Sequence, residues 1–174
     1  MTKMFKAINR WFQERARKNE TRRLETECHT ADAGFLSALS QKDRIQVSNV
    51  NPLILQFILK EKNGEDAPVM VGDEATFALL RKLSAGEIHK LKESVEYGQK
   101  GDAAAGSSMS QAASMYKKAI EANPYNSLAL LSHGVAVANL GNLREGIKWV
   151  EKALQVDPEN ERIRNNLKGM KADL

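Results

Sequence analysis

The sequence predicts an all-α protein in which an N-terminal helical region precedes a short helical solenoid of about two repeats and a capping helix. The first observation is an internal repeat near the C-terminus with a period of about 34 residues. The pairs related by this shift are Tyr116 and Val150, Ala119 and Ala153, Ile120 and Leu154, Pro124 and Pro158, and the small residues Ala112 and Gly146. The second observation is the helical spacing of apolar residues along much of the chain, interrupted by helix start and stop signals. A fixed period of this length, with two helices in each unit, is typical of stacked helical repeats.

Residues 1–24 predict a basic amphipathic helix. Its apolar residues follow helical spacing and are Met4, Phe5, Ile8, Trp11 and Phe12. Residues 1–23 carry eight basic and two acidic side chains, a net charge of +6, which leaves −2 for the rest of a chain whose total is +4. We expect Phe5, Ile8, Trp11 and Phe12, with the flanking Lys3, Lys6 and Arg10, to bind an anionic membrane surface or the groove of a partner. Packing on the rest of the chain and contact with nucleic acid phosphates remain alternatives.

Residues 33–84 predict a small helical region. We expect helices over Gly34–Ser48, Asn51–Lys62 and Asp73–Leu83, although the alternation of Ile45, Val47 and Val50 also permits a short strand. Ser40 and the pair Asn51–Pro52 are suited to helix starts, and Asn63–Gly64 predicts a turn. The segment Leu53–Leu59 is apolar nearly all round, which indicates a helix that is buried or lies in an interface.

Residues 85–174 carry the repeat. Ser84 and Glu87 form a capping box for a helix over Ala85–Lys100, and Asn142 with Glu145 predicts a second box after Gly141. A glycine inside a helix costs about 1 kcal/mol relative to alanine, so Gly134 and Gly146 need a packing reason, which close approach of two helices supplies. Pro124 and Pro158 follow helix ends. Glu159–Lys171, with Ile163, Leu167 and Met170 on one side, predicts the final capping helix.

These residues resemble the tetratricopeptide repeat family, whose pattern is W-x2-L-G-x2-Y, then A-x3-F, then P. In the second unit the matching residues are Leu130, His133, Gly134, Val137, Gly146, Val150 and Pro158. In the first unit Ser94 occupies the small position, Tyr97 follows it, and Gly101–Asp102 resembles the turn after the first helix. Residues 103–108 then read as an insertion that delays the second helix to about Ser110. The resemblance covers about half of the chain, from Glu87 to Leu174.

A second and shorter similarity lies in the middle of the chain. The run FLSALSQKDRIQVSNVNPLILQFIL, residues 35–59, is similar to the helical core of FlhD-type flagellar regulators, without a diagnostic motif. Together with the basic N-terminus, it keeps a DNA-linked transcriptional regulator as an alternative function. Self-assembly through Leu53–Leu59 is a further alternative.

Composition and motifs argue against an enzyme. The hydrophobic fraction of 42% and charged fraction of 28% are ordinary for a globular chain, and no apolar run approaches the ~20 residues that cross a bilayer. No secretory signal is evident, so we expect a cytoplasmic protein, peripheral at the inner face of the membrane if residues 1–24 bind there. Gly98, Gly101 and Gly106 lack the Lys-Ser/Thr of a phosphate-binding loop, and Cys28–His29 has no second cysteine with which to hold zinc. We expect no cofactor and no metal, and a packed or groove-facing role for His133.

The resemblance implies a groove that binds a segment of another protein. In tetratricopeptide arrays the first helix of each pair lines a concave face. The corresponding residues here are Leu91 and Val95 in the first unit, and Leu128, Leu131, Val135 and Asn139 in the second. Most are apolar, where members that grip a terminal carboxylate carry Lys and Asn. The resemblance therefore implies an adaptor or scaffold whose ligand is an apolar segment, or this chain's own N-terminal half. Because two repeats are fewer than the three usually needed, we expect the helices before Glu87, or a second copy of the chain, to stack on them.

Overall fold

A computed structural model describes Leu36, residues 38–67 and residues 72–174 of the chain. Eight helices lie in this described part: α1 (Gln41–Ser48), α2 (Pro52–Asn63), α3 (Glu74–Lys82), α4 (Ala85–Ala105), α5 (Met109–Ala122), α6 (Ser127–Asn139), α7 (Leu143–Val156) and α8 (Glu161–Ala172). The same residues contain no strand, which confirms the all-α prediction for this part and excludes the strand alternative at Ile45–Val50. The predicted helix of residues 1–24, and Cys28 and His29, lie outside the described residues.

Local capping chemistry sets most helix ends. The Ser40 side chain accepts from the backbone N–H of Asp43, and Asn51 caps α2 with proline in its first turn. Ser84 and Glu87 form the predicted capping box, in which each side chain bonds the other residue's backbone N–H. Gly64 ends α2 with a positive φ of 71°, a conformation that costs glycine nothing. These four signals were all predicted from the sequence.

The helix boundaries repeat with the same period of 34 residues as the sequence. Helices α5 and α7 are equally long, and the shift that carries Met109 to Leu143 also carries Ala122 to Val156. The same shift relates Asn126 to Asn160, and each of these two residues uses its side chain to cap the next helix. Helix α6 is thus joined to α5, and α8 to α7, by turns of equal length. The described structure contains the same helix–turn–helix unit at a constant spacing.

The predicted insertion at residues 103–108 was wrong. Helix α4 does not end at Lys100 but continues to Ala105, which lies one repeat period before the end of α6 at Asn139. Alanine is the best helix former and glycine a poor one, so Ala103–Ala105 favour continuing the helix beyond Gly101. Helix α4 is longer than α6 because it begins earlier, not because it ends later.

Two packed helix pairs, α4 with α5 and α6 with α7, each have a glycine at the point of closest approach. A Cβ on Gly134 would lie 2.7 Å from the carbonyl oxygen of Gly146 and 2.8 Å from Val150 Cγ2, so the two helices touch through their backbones as predicted. In the first pair Gly101 has this role, because a Cβ there would lie 2.6 Å from Tyr116 Cδ1. Tyr116 and Val150 are themselves one repeat period apart. Gly101 therefore makes in the first pair a contact like that of Gly134 in the second, although the two glycines are 33 and not 34 residues apart.

The predicted capping box at Asn142 is absent. Asn142 precedes α7, but its side chain makes no capping hydrogen bond. Its backbone N–H donates to Val137 O at 3.1 Å, and that of Gly141 donates to Ala138 O at 2.9 Å. This is the Schellman arrangement, with Gly141 at a φ of 90°. Because the end of α6 already uses the Asn142 N–H, that donor is not left for Glu145, whose carboxylate pairs with Lys148 at 3.5 Å instead.

The helices before Glu87 pack on the repeats. One hydrophobic core contains Val47, Leu55 and Ile58 from α1 and α2 together with Ile88 and Leu91 from α4. Most apolar residues of α2 pack in this core. The one large hydrophobic side chain of α2 that is exposed is Leu53, at 66%. The expectation of a buried helix is thus met within the chain.

Helix α1 lies across the C-terminal ends of α5 and α7. Gln41 Nε2 donates to the carbonyl oxygens of Gln155 and Val156 at 3.2 and 3.0 Å, which are among the carbonyls that a helix end leaves without partners. The Arg44 guanidinium lies 4.8 Å from the ring centroid of Tyr125. Gln41 and Arg44 share one face of α1, and this face positions α1 against the repeat.

No helix in the described part of the chain is both long and apolar enough to cross a membrane.

Candidate functional site

A groove of about 180 Å³ lies between α4, α6 and the turn that joins α1 to α2. Its lining residues are Ser48 at the end of α1, Asn49 and Val50 from the turn, Val95, Gly98, Gln99 and Asp102 from α4, Tyr116 from α5, and Asn126, Leu128, Ala129 and Ser132 from the start of α6. Helices α4 and α6 are the first helices of the two pairs. We call this feature the α4–α6 groove.

Buried amides and hydroxyls hold the end of the groove near the α1–α2 turn. Asn123 Nδ2 donates to Ser48 Oγ at 2.9 Å, which joins the end of α5 to α1. Asn126 Nδ2 donates to Ser94 Oγ at 3.0 Å, and Ser94 Oγ donates to the carbonyl of Ala119 at 2.8 Å. All four side chains are buried, and a buried polar group left unsatisfied costs about 1–3 kcal/mol. These hydrogen bonds therefore fix the relative positions of α1, α4, α5 and α6.

Tyr116 and Asp102 form the other end of the groove. The Tyr116 hydroxyl donates to Asp102 Oδ1 at 2.8 Å, and the Tyr116 ring packs on Gly101. Burial, reinforced by the Asp102 carboxylate, raises the pKa of Tyr116 to about 12. Tyr116 is thus neutral and acts as a fixed hydrogen-bond donor, while Asp102 is exposed to solvent.

The structure divides the predicted groove residues into two groups. Val95 and Leu128 line the α4–α6 groove, and Leu128 is 40% exposed. Leu91 and Leu131 are only 1% and 2% exposed, so they pack inside the protein and a ligand cannot reach them. The remaining two, Val135 and Asn139, are accessible on α6 beyond the groove lining. The predicted membrane- or partner-binding residues Lys3, Phe5, Lys6, Ile8, Arg10, Trp11 and Phe12 lie outside the described residues.

Gln99, Asp102 and Ser132 were missed from the sequence. Gln99 and Asp102 follow Val95 by four and seven residues, which places all three on one face of a helix. Gly101–Asp102 resembles a helix stop, but the helical spacing of Val95 and Gln99, continued by three residues, also indicates Asp102. Ser132 follows Leu128 by four residues and could have been found in the same way.

His133 is a packed residue of the repeat and does not face the groove. Its Nδ1 lies 3.0 Å from the carbonyl oxygen of Ala113, so Nδ1 carries the hydrogen and donates. Its ring meets Trp149 edge to face, with centroids 4.8 Å apart. Burial lowers the pKa of His133 to about 4, since the charged form is poorly solvated there.

The lining of the groove consists of hydrogen-bonding and apolar side chains. It contains one carboxylate, Asp102, whose partner is the neutral Tyr116 hydroxyl. Within residues 38–67 and 72–174 no three His, Cys, Asp or Glu side chains are grouped so as to hold a metal ion.

Comparison with protein-family models gave no match, and comparison with curated proteins also gave none. The tetratricopeptide resemblance therefore rests on the residues quoted above.

We predict that His133 makes the stability of the protein depend on acid pH. Its pKa is lower in the folded protein than the unfolded value of 6.5, so the folded state binds the proton less well. The stabilising contribution is present above about pH 6.5 and is lost as the pH falls towards 4. At pH 4 the loss amounts to about 3 kcal/mol relative to pH 7.5.

Urea unfolding at both pH values, for the wild type and for His133→Asn, measures this effect. The asparagine amide is a hydrogen-bond donor that does not titrate, so the variant should lose about 3 kcal/mol less than the wild type between the two pH values. Parallel pH profiles for the two proteins would show that His133 is not buried as described.

Proposed function

We propose that this chain is a non-enzymatic adaptor that binds a segment of another protein in the α4–α6 groove. The observation that carries the proposal is Leu128, a large apolar side chain that is 40% exposed beside Val95 in a concave site. Exposed apolar surface inside a concavity bounded by hydrogen-bonding groups is typical of a binding site. The groove also lies between the first helices of the two pairs, which is where the tetratricopeptide resemblance predicts a ligand.

The size of the groove favours a peptide over a cofactor. Its volume of about 180 Å³ is below the roughly 300 Å³ at which small-molecule sites usually begin. Such a groove accommodates one or two side chains, while Asn49, Gln99 and Ser132 can bond the backbone of an extended segment. A ligand of this kind makes most of its contacts along the rim and only anchors a side chain in the groove.

The walls of the groove are rigid, which supports binding. The Asn123–Ser48 and Asn126–Ser94 hydrogen bonds fix one end, and the Tyr116–Asp102 hydrogen bond fixes the other. Because a preformed site loses little conformational entropy when it binds, less of the contact energy is spent on ordering the groove.

We also propose that the basic amphipathic segment 1–24 attaches the adaptor to an anionic membrane surface or a larger assembly. This part of the proposal is supported by the sequence alone, through the net charge of +6 in residues 1–23 and the apolar spacing of Phe5, Ile8 and Trp11. A DNA-linked regulator that uses the same basic segment is the alternative.

The first prediction from this proposal concerns Leu128. We expect selection from a displayed library of random peptides on the full chain to enrich a family of sequences, and Leu128→Arg to weaken the enriched peptides by at least tenfold. Burying a leucine side chain contributes about 1.5–3 kcal/mol, and about 1.4 kcal/mol is tenfold in affinity. Fluorescence anisotropy with the selected peptides measures the dissociation constants.

Leu140→Arg is the matched control. Leu140 ends α6, is 54% exposed and lies outside the groove lining, so the same substitution there should leave binding unchanged. Circular dichroism checks that both variants fold. If no peptide is enriched, or if both variants bind equally well, the groove is not the binding site.

The second prediction concerns the N-terminal segment. We expect the full chain to sediment with vesicles that contain phosphatidylserine and not with neutral vesicles. Replacement of Lys3, Lys6 and Arg10 by Gln should weaken binding at least tenfold, because each basic residue near the surface contributes about 1 kcal/mol.

The control replaces the exposed Lys82, Lys90 and Lys168 by Gln, which changes the net charge equally. Absence of vesicle binding at low salt would remove the membrane part of the proposal. Binding of duplex DNA that falls steeply with salt would favour the regulator instead.

A further inference from the structure

We infer that the segment bound in the α4–α6 groove carries a lysine or arginine that pairs with Asp102, about three positions from an apolar residue that contacts Val95 and Leu128. This inference rests on the proposed function and names the class of ligand. It follows from the charge of the groove, from the fixed position of the Asp102 carboxylate and from the distance along α4.

The groove carries a single charge. Among its lining residues Asp102 is charged and all others are neutral, with no lysine or arginine. The nearby basic residues of α4 are engaged elsewhere: Lys92 Nζ lies 3.0 Å from Glu96, and Lys100 Nζ lies 5.1 Å from the ring centroid of Tyr97. A terminal carboxylate or an acidic side chain would therefore meet a like charge and no cation in the groove lining.

Asp102 has hydrogen-bonding capacity to spare. An ionised carboxylate offers about four acceptor sites and cannot donate, and the Tyr116 hydroxyl occupies one of them. Since Asp102 is exposed, an ammonium or guanidinium group can reach the remaining sites. These are charge-assisted hydrogen bonds, which are stronger than those between neutral groups.

Tyr116 orients the carboxylate before a ligand arrives. The ring cannot move towards α4 because it already packs on Gly101, and the hydroxyl holds Asp102 Oδ1 at 2.8 Å. The ligand cation therefore meets an acceptor whose position is already set, and it does not have to immobilise the side chain itself.

The spacing of the two contacts selects the spacing in the ligand. Val95 and Asp102 are seven residues apart on α4, which corresponds to about 10 Å along the helix axis. Three residues of an extended polyproline-II segment cover about 9 Å and return the side chain to the same face. An apolar residue and a basic residue three positions apart thus match the apolar and acidic parts of the groove.

Arg162, on α8, lies outside the groove lining, but its positive charge acts on Tyr116 at this end of the groove. Its charge lowers the pKa of Tyr116, against the larger effects of burial and Asp102. A ligand that paired with Arg162 would carry an acidic residue, whereas a ligand that paired with Asp102 would carry a basic one. Comparing basic and acidic peptides therefore shows which of the two residues the ligand contacts.

The test uses short capped peptides that contain leucine and, three positions later, lysine, glutamine or glutamate. They are titrated against the full chain and against Asp102→Asn, which keeps an acceptor oxygen for Tyr116 and removes the charge. For the wild type we expect the lysine peptide to bind about fivefold more tightly than the glutamine peptide, with the glutamate peptide weakest. Asp102→Asn should abolish the difference between lysine and glutamine, and so should high salt.

The outcomes separate this inference from the proposed function. Equal binding of the lysine and glutamine peptides to the wild type, or an equal lysine preference in Asp102→Asn, overturns the inference while leaving groove binding in place. Tightest binding of the glutamate peptide also overturns it and assigns the charge preference to Arg162. If none of the peptides binds and Leu128→Arg has no effect on selected peptides, the proposed function fails together with the inference.

Discussion

The close approach of two helices at a glycine is the constraint on which the described structure depends. In the second pair, Gly134 meets the backbone of Gly146 and the side chain of Val150. In the first pair, Gly101 accepts the ring of Tyr116, which lies one repeat period before Val150. An added Cβ has no room in either place. The contact sets the distance between the helices of each pair and thereby the positions of α4 and α6 on either side of the groove.

The same contact connects packing to the proposed site. With its ring on Gly101, Tyr116 reaches Asp102 with its hydroxyl, and this hydrogen bond forms one end of the α4–α6 groove. At the other end, Asn123 and Asn126 stand at the two ends of the turn between α5 and α6 and bond Ser48 and Ser94. Buried amide groups need hydrogen-bond partners, and these two bonds hold α1 and α4 against the turn. The groove is thus a consequence of how the pairs are joined.

Local chemistry made much of the fold predictable. The caps at Ser40, Asn51 and Ser84 and the turn at Gly64 follow from residue type, because each depends on atoms within a few positions in the chain. The end of α4 was not predictable in this way, since Gly101–Asp102 reads as a helix stop until the ring of Tyr116 is placed on it. Leu91 and Leu131 share their helical faces with Val95 and Leu128, and periodicity alone does not tell which of these a neighbouring helix covers.

The measurement that tests the account most directly is the free energy of unfolding of Gly101→Ala compared with Gly98→Ala. Both glycines lie within α4, but a Cβ on Gly98 would have no neighbour within 4 Å. Urea unfolding should show Gly98→Ala to be as stable as the wild type or more stable by up to about 1 kcal/mol, from helix propensity alone. Gly101→Ala should instead lose about 1–3 kcal/mol, because the added methyl group overpacks against Tyr116. If Gly101→Ala stabilised the protein as much as Gly98→Ala does, α4 and α5 would not meet at Gly101, and the groove built on that contact would lose its basis.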